Sequence, residues 1–297
     1  MSDIRPIRAG HLVVLALIVC SAIFLRWYKI GSASLWTDEF LSLEVSSSHG
    51  YEHLDVSRDV ILNPPELVEM NNAGSWPELF LSLRRSNHPP LYFCILRIWR
   101  EIFHSDSDTT MRSLSALVAV LAVLLTFDAV RWSHGPGAAL WAAALLAVAN
   151  PQIEFAQEAR GYAMLVTFMM GCAAAIARLE TLGYSRRRII ALACCAVGMI
   201  MTHYLGFAVL LAMIIYVAIR FTPPIRRPAL YALAGSVLGV LIVWGPFMWA
   251  QWHDFFDHLT WMREMPEGHV RLTMERLLTL PLRFFIRPSL FPGPVSY

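Results

Sequence analysis

Charge is scarce in this sequence. Only 15% of its 297 residues are acidic or basic, where a soluble domain carries about a quarter. Lysine is almost missing: Lys29 stands alone, and arginine supplies the rest of the positive charge. A net charge of +2, with no basic block interleaved with aromatics, argues against a nucleic-acid partner. Zinc-ligand spacing is missing among the five cysteines. Cys20, Cys172, Cys194 and Cys195 sit in apolar runs, Cys94 lies on an amphipathic segment, and adjacent Cys194 and Cys195 point in different directions on a helix. There is no repeat with a period of about 20 to 50 residues, and no glycine-rich nucleotide loop. No small-residue cleavage pattern follows the first apolar run, which ends Phe24-Leu25-Arg26-Trp27-Tyr28-Lys29. That run is therefore expected to be an uncleaved anchor.

What the sequence does have is apolar length. Hydrophobic residues make up 57%, and they gather in runs long enough to cross a hydrocarbon layer about 30 Å thick at about 1.5 Å per residue. The expected architecture is an all-α polytopic membrane protein of about seven transmembrane helices, near 11–27, 112–132, 137–150, 162–178, 188–202, 204–221 and 229–250. Thr202-His203-Tyr204 is the polar break between the fifth and sixth spans. With a cytoplasmic N-terminus, Arg5, Arg8, Arg131, Arg178, Arg186 to Arg188, Arg220, Arg226 and Arg227 all fall inside, whereas the short loops of the outer side hold only Arg160 and, at a helix end, Arg112. This is the positive-inside bias, and it holds only if 88–103 does not span. That segment reads as an interfacial helix, with Arg97, Arg100 and Glu101 on one face and Tyr92, Ile95, Trp99 and Phe103 on the other. Residues 28–111 are accordingly expected to form one large extracytoplasmic loop carrying interfacial helices.

With this topology the mixed polar clusters fall on the same, outer side. They are Leu35-Trp36-Thr37-Asp38-Glu39, Asn87-His88-Pro89-Pro90, Arg112, Gln157-Glu158-Ala159-Arg160-Gly161-Tyr162, and His203-Tyr204. Adjacent carboxylates on a helix point about 100° apart, so one of Asp38 and Glu39 can face a substrate while the other pairs with an arginine. A solvated acidic pair at a helix start, with Thr37 as cap, explains the same residues. Glu158 and Arg160 read equally as a second acid with an anion binder or as an interfacial salt bridge. Arg112 alone reads as a snorkelling arginine. His203 reads as a hydrogen-bonded structural histidine, and His88 as a helix-start residue. Asp128, near the inner end of its span, is expected to pair with Arg131 one turn on.

In their order, Leu-Trp-x-Asp-Glu after a first span, His-Pro-Pro-Leu-Tyr, Arg-Ser-Leu-Ser-Ala-Leu, Gln-Glu-Ala-Arg-x-Tyr and Thr-His-Tyr resemble the motifs of the GT-C membrane glycosyltransferases. The bacterial relatives of protein O-mannosyltransferases and the aminoarabinose transferase are the branch they are most similar to. The resemblance covers about residues 11–250. It implies a multi-pass protein of the bacterial inner membrane. Such a protein moves a sugar from a polyprenyl-phosphate donor to a hydroxyl of a lipid, polysaccharide or protein acceptor on the extracytoplasmic face, with inversion. It further implies that Asp38, with Glu39 beside it, is the catalytic acidic group, and that Arg112 meets the donor phosphate. His88, Glu158, Arg160, Tyr162 and His203 are expected to line the same cavity. The second outer loop has glutamate where some relatives have aspartate, which leaves a divalent metal open. Residues 1–250 are expected to be the catalytic module, and 251–297 an extracytoplasmic tail leading to further spans that this chain lacks. The competing reading is a transporter or flippase of a lipid-linked or small polar substrate. Its ionisable groups would lie near the midplane, where this sequence has few.

Overall fold

The computed structural model describes residues 6–54 and 66–264, all of them helix, turn or connecting segment. The long apolar helices are α1 (Ala9–Trp27), α5 (Asp108–His134), α6 (Pro136–Val148), α8 (Tyr162–Leu182), α9 (Arg186–Thr202), α10 (Gly206–Arg220) and α11 (Pro223–Glu264). The shorter helices α2 (Thr37–Ser46), α3 (Trp76–Ser82) and α4 (Leu91–Phe103) belong to the first loop, and α7 (Asn150–Ala156) follows α6.

Local chemistry sets the ends. α5 starts where Ser107 Oγ accepts the Thr110 N–H at 3.3 Å. It stops at Gly135, whose φ of 86° suits a residue without Cβ, and Pro136 opens α6. α8 stops at Gly183 in the same way, with φ 77°. α6 and α7 meet at a 60° bend, with Pro151 in the first turn of α7. α9 ends at Thr202, and His203 takes extended backbone before α10, as the polar break there leads one to expect.

Four helical stretches are long and apolar enough to cross a membrane: Ala9–Trp27, Asp108–His134, Tyr162–Leu182 and Pro223–Gln251. The bent α6–α7 pair makes a fifth. α9 and α10, with 17 and 15 residues, are shorter than a full crossing at about 1.5 Å per residue. The seven long helices nevertheless follow the seven expected spans in order. The boundary expected after residue 250 falls inside α11, which continues to Glu264. Residues 265–297 of the expected tail lie outside the described residues.

α5 is the central helix, packed by α1, α6, α7 and α8, while α9 joins α8 to α11. On α6, Ala139, Ala143 and Ala147 form a buried row at four-residue spacing against Ala22, Val123 and Phe127, the small-residue contact that lets membrane helices approach closely. The opposite faces are apolar too. Trp141, Ile219, Tyr231 and Trp249 are 74–76% exposed, which only a hydrocarbon solvent makes favourable.

α4 departs from expectation in one respect. At 13 residues it does not span, but its arginines do not face water. Arg100 is 1% exposed and donates to Leu43 O, Ser46 Oγ, Val68 O and Asp106 Oδ1. Arg97 donates to Glu101, Ser48 Oγ and Gly74 O. It also stacks 4.7 Å from the Trp76 ring. The polar face of α4 is thus the internal scaffold of the first loop, and Ile98, Ile102 and Phe103 are left outside.

Candidate active site at one end of the bundle

Glu39 and Asp38 open α2 and divide as their angular separation requires. Glu39 is fully buried. Its Oε1 accepts from Arg112 Nε at 2.8 Å and from the Ala159 N–H at 2.8 Å. Its Oε2 accepts from Arg112 Nη2 at 2.7 Å. Arg112 also donates to Ile30 O and Ala33 O through Nη1, both at 2.9 Å, and to Ser34 O through Nη2 at 3.2 Å. A guanidinium has five N–H groups, and all of them are engaged. Arg112, expected at the donor phosphate, is thus turned into the protein and ties α5 to the start of the first loop. Glu39 in turn holds Ala159, and with it the α7–α8 link.

That link places Arg160 beside Asp38. The guanidinium is 6% exposed. Its Nη1 donates to Asp38 O at 3.1 Å and Ser42 Oγ at 3.3 Å, and its Nη2 donates to His88 Nε2 at 3.1 Å. The Asp38 carboxylate is 3.3 Å from Nη2, looser than the 2.7–2.8 Å bonds of the Glu39 pair. Arginine has no acceptor, so His88 Nε2 accepts and its proton sits on Nδ1. Burial, then the Arg160 charge, then His203, push the His88 pKa down to about 3. The ring is a neutral acceptor.

Aromatic rings close the back. His203 meets His88 edge-on at 5.2 Å and Tyr162 at 5.8 Å, and Arg160 lies 5.5 Å over the Tyr162 ring. Burial also lowers the His203 pKa, with a further push from Arg160. Asp38, Leu41, Val45, Tyr51, Asn87, His88, Phe93 and Arg160 line a cavity of about 160 Å³. Glu158 stands next to this cluster, and among the described residues no donor reaches its carboxyl. Its pKa is pushed up to about 7, first by burial and then by the charges of Glu39 and Glu154.

Asp38, His88, Arg160, Tyr162 and His203 therefore form one connected cluster, Glu39 and Arg112 form a second beneath it, and Glu158 borders both. Among the described residues no three His, Cys, Asp or Glu side chains converge as metal ligands do. Sequence reasoning missed Ser42, Tyr51 and Gln251. Tyr51 lines the cavity, and burial raises its pKa. Gln251 lies on α11, donates to Leu83 O at 2.6 Å and His88 O at 3.3 Å, and accepts from Tyr204 Oη at 2.5 Å. Trp244 Nε1 donates to the same Tyr204 oxygen at 2.9 Å. α11 thereby clamps the loop that carries His88. A glutamine late in an apolar run was the signal available.

The bundle and the one-ended polar cluster define a class, a polytopic helical membrane protein with its polar site at one end. The family model for dolichyl-phosphate-mannose-protein mannosyltransferase matches residues 87–249, more than half of the chain, which belongs to this family of membrane glycosyltransferases. The fold is similar to that of the Saccharomyces cerevisiae protein O-mannosyltransferase Pmt1-Pmt2 complex, solved with its sugar donor bound, with a TM-score of 0.56 at 14% identity. The match covers 87% of this chain and 35% of that one, so this chain spans about a third of the relative's length. Among individually curated proteins none matches the sequence significantly.

Proposed function

We propose that the chain transfers a sugar from a polyprenyl-phosphate donor to an acceptor hydroxyl, on the extracytoplasmic face, by a single displacement that inverts the anomeric carbon. The observation that carries this reading is the division of labour at the start of α2. Glu39 is wholly spent on Arg112 and Ala159, whereas the half-buried Asp38 carboxylate lines a cavity beside Arg160 and a neutral His88.

In the proposed step the acceptor oxygen attacks the anomeric carbon as its proton passes to Asp38. The bond from that carbon to the phosphate oxygen breaks, and polyprenyl phosphate leaves with the electron pair. Charge grows on the departing phosphate, where a preorganised cation is most effective. We assign that task to Arg160, since Arg112 has no N–H left to give. Breaking the loose Asp38–Arg160 pair on donor binding frees the carboxylate as base and the guanidinium for phosphate. The family resemblance makes polyprenyl-phosphate mannose the first donor to try. The test is incubation of purified protein with that donor and candidate acceptors. The expected result is donor consumption with a product of inverted anomeric configuration; a retained configuration contradicts the single displacement.

A further inference from the structure

At the opposite end of the same helices lies a second cavity. α5, α8 and α9 part there around about 230 Å³. Its walls are apolar, with Leu125, Gly171, Ala174 and Ala175 among them, and its mouth carries Arg187 and Arg188. Gly171 fixes the α8–α9 approach, because a Cβ there would sit 2.7 Å from Cys195 Sγ. Asp128 also lines the cavity, about 24 Å along α5 from Arg112 at about 1.5 Å per residue. The space is therefore separate from the candidate active site.

The charges at this mouth are only partly balanced. Arg178 is spent on Asp128, with both contacts at 2.8 Å, and Arg131 approaches the same carboxylate at 3.2 Å. Arg188 donates to Leu182 O and Gly183 O at 3.0 and 2.7 Å. Arg187 is exposed and has no side-chain partner among the described residues. These arginines open α9, whose first turn has no acid and whose N-cap, Ser185, makes no side-chain cap bond. Cations at the positive end of a helix dipole are unfavourable, and uncapped N–H groups there attract anions. The positive-inside rule accounts for arginines in this loop. It does not account for two of them rimming an apolar cavity. A cavity of about 150 Å³ with apolar walls already accommodates a benzene-sized group, so this one has room for part of an acyl chain.

We propose that this cavity binds an anionic phospholipid of the leaflet opposite the candidate active site, its phosphate at Arg187 and the α9 N-terminus and its chain against Leu125, Ala174 and Ala175. The inference does not depend on the sugar-transfer reading. The test is native mass spectrometry of the full chain in mild detergent, titrated with phosphatidylglycerol or phosphatidylcholine of matched chains. Preferential retention of phosphatidylglycerol is expected. Arg187→Gln should weaken it about fivefold, the effect of one basic side chain near anionic lipid. Ala191 is an exposed residue at the cavity, so Ala191→Phe obstructs the space without disturbing the core and should remove retention. Equal retention of the two lipids, or unchanged retention in both variants, overturns the proposal. So does displacement of the lipid by millimolar inorganic phosphate, which would mark a free-anion site instead.

Discussion

Arg112 grips Glu39 with two hydrogen bonds of 2.8 and 2.7 Å, and neither side chain is more than 3% exposed. The pair joins residues 73 positions apart and, through Ala159, links the first loop to the α7–α8 turn. Removing one partner strands a buried charge, a loss of about 3–5 kcal/mol. Glu39→Ala should therefore reduce folded protein and thermal stability in detergent, with activity falling in proportion. Arg112→Lys should not rescue, since an ammonium has three donors to replace five. A stable, well-folded Glu39→Ala protein that lacks only activity would show that the pair is not the structural tie described.

Arg160 should behave differently. Arg160→Lys keeps the charge and loses the planar fork that serves His88, Ser42 and phosphate together. The expected effect is a tenfold to hundredfold loss, about 1.5–3 kcal/mol for a charged hydrogen bond, expressed in kcat/KM for the lipid-phosphate donor with melting temperature little changed. An unchanged kcat/KM would remove Arg160 from the phosphate role.

Two groups should give pH signatures of opposite sign. Glu158 has its pKa raised to about 7 by burial and neighbouring carboxylates. Between the unfolded carboxyl value, about 4.3, and pH 7 the native state keeps a proton that the unfolded state has lost, so stability falls as pH rises. His88 is lowered to about 3, so below its unfolded value of about 6.5 the unfolded state alone takes a proton and stability falls as pH drops. Melting temperature measured across this range should lose the first slope in Glu158→Gln and the second in His88→Gln.

Gln251 is a structural prediction outside the motif set. Gln251→Leu takes the acceptor from the Tyr204 O–H and one of two donors from Leu83 O, a loss of about 1–3 kcal/mol if the hydroxyl stays dry. Hydrogen exchange should rise in the segment around residues 83–90 of the variant. Protection equal to wild type there would mean that α11 does not clamp the His88 loop.

Much of the fold was legible from hydropathy alone, because apolar length and arginine placement are one-dimensional signals. The break at His203 and the convergence of Asp38, His88, Arg160, Tyr162 and His203 follow from where helices must end. The roles inside the cluster were harder to read. Nothing in a linear sequence distinguishes Arg112 from Arg160, and only the backbone carbonyls of Ile30, Ala33 and Ser34 reveal that the first is saturated. α4 shows the same limit. Its periodicity marked a polar face, but the face turned inward, where Val68 O and Gly74 O take their donors from Arg100 and Arg97.

The measurement that bears most directly on the central claim is sugar transfer by Asp38→Asn, assayed with a polyprenyl-phosphate sugar that the wild type consumes. The variant keeps the shape of the side chain and leaves Glu39 and Arg112 untouched, so it should insert and melt like wild type. Transfer should fall by about two to four orders of magnitude, the range of a lost general base. Transfer at the wild-type rate from a folded Asp38→Asn protein would contradict the account.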